Sequence, residues 1–451
     1  MEIAFPILAF LITTIAARRS LGAGLGTAIA VGYFNGIIRA NFLGVFSTFM
    51  FDGGMLGFYL GAYAKLKQSG SVRFPPGLLD RVILLCGLAA VIALAPVNDL
   101  LVQLVALRGT IWLLPAILFA SLMTDRDLFV ISRVLIPLNL IATGAGFYLY
   151  FYGLEALYPK NAVTELMYRS ILGVGGESWN RIPATFMSAH AYGGTMMATL
   201  PLLMGGMMAR PHAWERLAFV LGIVAACIGI LMCGARQPVV TAALTLVTTW
   251  IVSGFPVKHG TLLAVVVGLS AWLVIANPRF QRVLEMQDTQ QVYGRAYMSM
   301  NASFLDLLVE YPMGAGMGSS IGTSLPSFLA DRAPKPIGME NEYSRILVDQ
   351  GILGLVFWLA FIVWVVWPPP TSEQTGNWRL GYKMMFSFVL IAWATAFIGT
   401  GILSSIPMSL LLVVQMGILV GRRASKTTVP QMRTIHDRAI GKPYQDITVA
   451  R

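Results

Sequence analysis

Three carboxylates, an asparagine and an arginine crowd the start of a late apolar run: Glu340, Asn341 and Glu342, then Arg345 and Asp349, in PIGMENEYSRILVDQGILGL. Charge at the mouth of an apolar helix is costly unless it has a task or a partner. A carboxylate at the edge of an apolar phase holds a proton more readily than one in water and can take it from a hydroxyl, so Glu340 and Glu342 are candidate general bases. For Glu342 there is an alternative. It can favour the helix dipole and pair with Arg345 one turn on.

A second set of residues suits phosphate. Arg39 ends an apolar segment and Arg108 lies inside one. Arg181 opens NRIPATFMSAHAYGG, Arg236 sits in the short CGARQP connection, and Arg279, Arg282 and Arg295 share one long polar stretch. A guanidinium stays charged and donates paired hydrogen bonds to phosphate oxygens. Each arginine can instead snorkel to an interface, and Arg108 can pair with Asp52 or Asp99. His190, early in its segment, suits a core hydrogen bond or a site equally well. No His/Cys spacing suggests zinc, no acidic cluster suggests magnesium, and no Gly-rich phosphate loop is present, so no cofactor is expected.

The elements that must hold these residues are apolar helices. Of 451 residues, 56% are hydrophobic and 12% charged, about half the usual charged share of a soluble domain. Continuous apolar segments fall near 3–17, 21–38, 42–64, 82–96, 99–122, 129–152, 186–208, 215–233, 237–254, 260–276, 344–367, 381–398 and 402–420. The expected fold is an all-α polytopic membrane protein with about 12–13 transmembrane helices in one domain, 1–420, followed by a basic tail, 421–451. The net charge of +11 points to Lys- and Arg-rich cytoplasmic connections and a lipid bilayer rather than to nucleic acid. Cys86, Cys227 and Cys233 all fall in apolar runs and read as small buried residues. The absence of a basic region before the first run argues for a retained first span rather than a cleaved leader.

Basic connections alternate along the chain: Arg18 and Arg19; Lys65 to Arg81; Arg126 and Arg133; Arg210 and Arg216; Lys258; Arg379 and Lys383; and the tail from Arg422. That set is expected inside, with the C-terminus. The intervening connections are then external, and two are long, 153–185 and 277–343. The second, at about 65 residues, exceeds an ordinary loop and is expected to carry short helices at Gln281–Met286 and Tyr297–Glu310.

On these residues the chain resembles the O-antigen ligase and polysaccharide polymerase superfamily. Asn341, nine residues and then Gly351-Ile-Leu-Gly354 match the ligases' motif, with Glu340 at the position the ligases fill with histidine. RAYMSMNASFLDLLVEYPMGAGMG is similar to the family's arginine, helix and Pro-x-Gly-x-Gly turn, with Arg295, Pro312, Gly314 and Gly316 at the matching positions. NRIPATF and GARQPVV are similar to two further arginine-bearing segments.

The resemblance implies a GT-C-like, metal-independent, inverting glycosyltransferase of the bacterial plasma membrane, with its site on the external face. Its donor is a glycan on undecaprenyl diphosphate. On that reading Glu340 is the base, Arg295, Arg236 and Arg181 hold the diphosphate, and Asn341, Glu342, His190 and Arg108 are further candidates. With glutamate in place of the ligases' histidine, a polymerase of lipid-linked repeat units is the expected activity. Partners are then a chain-length regulator or export proteins. The alternatives are a ligase with a lipid or other acceptor, a polysaccharide or lipid transporter, and a non-enzymatic assembly component. A transporter places ionisable groups deep in several spans and on both sides, whereas the candidates here gather toward one side.

Overall fold

A computed structural model describes residues 2–68, 70, 73–95, 97–168, 170–172, 178–209, 212–253, 268, 303–320, 326–332, 337, 341–367, 369, 377–397, 399 and 401–439. Among them the chain is almost wholly helical. The helices are α1 (Ala4–Arg19), α2 (Leu21–Asn41), α3 (Met50–Gln68), α4 (Leu78–Ala93), α5 (Leu100–Ile111), α6 (Pro115–Ser121), α7 (Asp125–Tyr152), α8 (Ala189–Met208), α9 (Ala213–Met232), α10 (Arg236–Val252), α11 (Ser303–Glu310), α12 (Glu342–Val366), α13 (Arg379–Thr395) and α14 (Met408–Ala439). One antiparallel hairpin, β1 (Ser170–Leu172) with β2 (Ser178–Asn180), pairs Ile171 with Trp179.

Every expected apolar segment that falls on described residues is helical, and 260–276 lies almost wholly outside them. Four differences are instructive. The 99–122 segment breaks into α5 and α6 at Trp112–Leu114, where Pro115 occupies the start of α6 and cannot donate into a continuing helix. The helix expected to end at Val420 runs on to Ala439. The short helix expected at 297–310 is α11, described from Ser303, and the one at 281–286 lies outside the described residues.

The last difference concerns span number. Among the described residues, five helical stretches are long and apolar enough to cross a membrane: Leu21–Asn41, Leu100–Ser121, Asp125–Tyr152, Ala213–Met232 and Glu342–Val366. The others are shorter or more polar. Helix α8, although 20 residues long, is rich in Gly, Thr and Met and is buried on nearly every face. It meets protein rather than lipid, so it has no need of lipophilic side chains.

The bilayer-facing surface is explicit elsewhere. Leu217, Val220, Leu221 and Val224 on α9, and Leu353, Val356, Leu359 and Val363 on α12, are exposed. Helical spacing places each set along one side of its helix. Apolar stripes of that extent are untenable in water and mark contact with hydrocarbon. The molecule is an all-α, membrane-embedded helical protein.

Inside, α8 is tied to its neighbours by polar bonds that hydrocarbon makes worthwhile. The Tyr33 hydroxyl donates to Asn139 Oδ1 (2.6 Å), and Asn139 Nδ2 donates to Thr199 Oγ1 (3.0 Å). Ser132 donates to the Leu202 carbonyl (2.7 Å) and Gln415 to that of Ala198 (3.0 Å). Helices α1 and α3 run parallel in close contact. Gly53, Gly57 and Gly61 meet Pro6, Phe10 and Thr14 in turn, a small-residue spacing that lets backbones touch.

The bundle has two distinct ends. At one, Gly22 N–H donates to Asp127 (3.0 Å), Arg133 pairs with Glu215, and Arg422 and Tyr382 share Asp125. Arg18, Arg19, Lys65, Lys67, Arg126, Arg216 and Arg379 belong to the same end by helix polarity. At the other, Ile37 N–H donates to the Thr185 carbonyl (3.2 Å) and Asn161 to that of Ala40 (2.9 Å). The N-termini of α8, α10, α12 and α14 gather there.

Gly57→Leu should force α1 from α3 and cost about 1–3 kcal/mol, as overpacking of a filled contact does. Gly144, which has open space around it, should accept alanine with no loss, or a gain of up to about 1 kcal/mol from helix propensity. Thermal unfolding in detergent, followed by tryptophan fluorescence, separates the two.

Candidate functional site

The mouth of α12 is held from several directions. Asn341 is its N-cap, accepting the Ser344 N–H at Oδ1 (2.6 Å), which satisfies one of the donors a helix start leaves open. Glu342 is fully buried. Its Oε1 accepts from Arg345 Nε (2.6 Å) and forms an ion pair with Arg345 Nη2, while Oε2 accepts the Gly401 N–H (2.7 Å). The Glu342 N–H donates to the Ala396 carbonyl (3.0 Å). Both carboxylate oxygens are therefore engaged, in the pairing that the i,i+3 spacing with Arg345 offered. Glu342 fastens α12 to the turn between α13 and α14. Glu340 precedes the cap and lies, like Arg295, outside the described residues.

Two turns into α12, Gly351 takes φ 68° and the helix kinks. The Gly-rich loop after α11 docks on this break. Ala315 N–H donates to the Val348 carbonyl (2.7 Å) and Ile352 N–H to that of Pro312 (2.9 Å). Gly314, at φ +82°, lies so close that a side chain would come within 2.8 Å of Gly351 N. Asp349 then closes the loop. It accepts the N–H groups of Gly318 (3.2 Å) and Ser320 (3.0 Å) and the Ser320 hydroxyl. Asn98 secures the far side through the Met317 carbonyl (3.1 Å) and Ser319 Oγ (2.9 Å). In the sequence Asp349 stands out only as charge; the Gly-Ser-Ser end of the loop, with N–H groups that need an acceptor, is the feature that points to it.

Arg181 and His190 meet directly. An arginine Nη1 lies 2.7 Å from His190 Nε2. Arginine only donates, so Nε2 accepts and the ring proton sits on Nδ1. His190 opens α8 one turn before Gly193. That glycine packs against Cys233 and Pro238, the residues flanking Arg236, and a side chain there would come within 3.0 Å of Pro238 Cγ. Cys233 is also within electrostatic reach of Arg181. Gln237 then packs on Gly399, two residues from the Gly401 that binds Glu342. The fold thus brings Arg181, His190, Arg236, Asn341 and Glu342 to one end, where Glu342 meets Ala396 and Gly401 and Gln237 meets Gly399.

Arg108 belongs to a different group. Its Nε lies 3.4 Å from Asp52 Oδ1, one of the two pairings the sequence suggested. Asp99 instead caps α5 through the Leu101 N–H (2.9 Å) and faces Arg332 at 3.5 Å. Arg39, near the end of α2, is within electrostatic reach of both Arg108 and Asp52.

The chemistry open to this end follows from its charges. Arginines at helix starts bind phosphate oxygens, aided by the local N–H groups. A histidine that donates only from Nδ1 can hydrogen-bond a hydroxyl or phosphate but cannot take a proton at Nε2 while Arg181 holds it.

Glu342→Gln should leave Arg345 facing a neutral partner. Breaking a buried pair costs about 3–5 kcal/mol, and the partial exposure of Arg345 places this case at the low end. Glu342→Gln with Arg345→Met should recover much of that loss. Unfolding temperatures of the single and double variants check it, and equal losses in both would remove the pair as the cause. No family model matches this chain, and no curated protein or solved structure does either.

Proposed function

We propose that this chain is a membrane glycan polymerase that joins lipid-diphosphate-linked oligosaccharide repeat units. What carries the reading is the convergence of Arg181, His190 and Arg236 with the start of α12 at the end of the bundle opposite the basic connections. By the positive-inside bias, that end faces away from the cytoplasm, where a bacterial inner-membrane enzyme meets flipped undecaprenyl-diphosphate glycans. The resemblance to ligases and polymerases implies a base role for Glu340 and a diphosphate role for Arg295.

The reaction balances without a metal. A sugar hydroxyl oxygen of the acceptor bonds to the anomeric carbon of the donor from the face opposite the diphosphate. The bond between that carbon and the diphosphate oxygen breaks, and its electron pair leaves with the diphosphate. The hydroxyl proton passes to Glu340. Arg236, Arg295 and Arg181 balance the charge that develops on the leaving group, and oxocarbenium character at the anomeric carbon makes positioning count. Glu342, Asn341 and Asp349 act as positioning residues, holding α12 and the loop on it.

Purified protein with lipid-linked repeat units should extend glycan chains. Glu340→Ala should slow growth by about 10²–10⁴-fold, the usual worth of a general base. Arg236→Gln should slow it by about 10²–10³-fold, as loss of one charge-stabilising donor does. Chain growth that survives both Glu340→Ala and Arg295→Ala overturns the site. Transfer only to an acceptor that is not a repeat unit reassigns the chain as a ligase.

A further inference from the structure

We infer that Arg39, Arg108 and Asp52 form a second anion site, separate from Arg181 and Arg236, that takes the diphosphate of a second isoprenoid-linked glycan. The cluster lies where the end of α2, the start of α3 and the middle of the α5–α6 span meet. Arg39 lies within electrostatic reach of the Arg108–Asp52 pair, and two guanidinium groups beside one carboxylate give the group net positive charge. Its polar atoms are not satisfied. Arg39 Nε, Arg108 Nη1 and Asp52 Oδ2 are buried without a hydrogen-bond partner. Only Arg108 reaches Asp52, at 3.4 Å, and Arg39 makes no ion pair or hydrogen bond among the described residues. Arg39 does sit in the last turn of α2, where helix carbonyls favour a cation, but no carbonyl accepts from it. A native protein rarely leaves buried charged donors unmade, and each such case calls for an explanation. An anion with several acceptor oxygens supplies one.

The surroundings specify what carries that anion. The segment between α2 and α3 is apolar and open, with Phe42, Leu43, Val45 and Phe46 all exposed. The Arg108 guanidinium stands 5.5 Å from the Phe49 ring centre, which makes one wall of the cluster apolar. A charged pocket beside an exposed apolar edge fits an amphiphile, with its head on the arginines and its chain along the edge.

The inference rests on the polymerase reading for the identity of that amphiphile. Chain growth joins two lipid-linked glycans. One diphosphate leaves and the other stays attached to the product, so both must be held at once. A ligase with an acceptor lacking a diphosphate needs one such site only.

Native mass spectrometry of the full chain in phosphatidylcholine nanodiscs counts the sites, with farnesyl diphosphate as probe. Two bound molecules are expected. Arg39→Gln keeps the Arg108–Asp52 pair, and so the fold, but should weaken the second event by about tenfold or more, the worth of one charge-assisted donor. Asp52→Asn removes a competing negative charge and should tighten it, a gain that a purely structural role for the cluster would not give. Arg236→Gln should weaken the other event and spare this one.

Several outcomes overturn the inference. They are a single bound molecule in the wild type, an unchanged count and affinity in Arg39→Gln, or weaker binding in Asp52→Asn. Equal competition by inorganic pyrophosphate removes the lipid, and equal competition by phosphatidylglycerol removes the diphosphate. Because binding is counted without catalysis, two sites with no chain growth sink the polymerase and leave the second site standing. Chain growth with one site does the reverse.

Discussion

A carboxylate with no exposed surface sits at the mouth of α12, and the arrangement around it exists to make that tolerable. An isolated buried charge costs several kcal/mol. Glu342 avoids this cost only with Arg345 on one oxygen and the Gly401 N–H on the other. Those partners come from different places in the chain, so satisfying one residue fixes the relation of α12 to the α13–α14 turn. Gln237 rests on the same turn, which ties the start of α10 to it, and α8 follows through Gly193. The charged end is therefore a single assembly rather than a set of loose helix tips.

Asp349 repeats the principle deeper in the helix. Three donors from the Gly-Ser loop converge on it, and the kink at Gly351 makes room for the loop backbone. With Glu342 above and Asp349 below, the acidic residues of this helix shape the surroundings in which a reacting group has to work. Each is tied by hydrogen bonds into the structure it holds.

Much of the helical frame was legible in the sequence, because long apolar runs have few alternatives to helix in a bilayer. The pairing of Glu342 with Arg345 and of Arg108 with Asp52 was legible as one of two options each, since spacing and charge constrain neighbours. The break between α5 and α6 was less visible, although Pro115 signals it. The joining of Arg181 to His190 was not legible as a contact, because both residues read equally well as separate interface or core residues. Gly354 faces Gln350 of its own helix, while Gly351 meets the loop. The kink redirects both.

The burial of α8 bears on how the protein is made. A helix of Gly, Thr, Ala and Met with His190 at its head gains little by leaving an aqueous channel for lipid. Its partners α7 and α9 carry the lipophilic residues, and Ser132, Asn139 and Gln415 hold it by hydrogen bonds rather than by hydropathy. During synthesis α8 must therefore wait beside α7 or at the insertion machinery, and its bond from Gln415 on α14 forms only once α14 has emerged. Final packing of α8 is in this sense a late event in biogenesis, and quality control at the membrane has a long interval in which to see an unfinished centre.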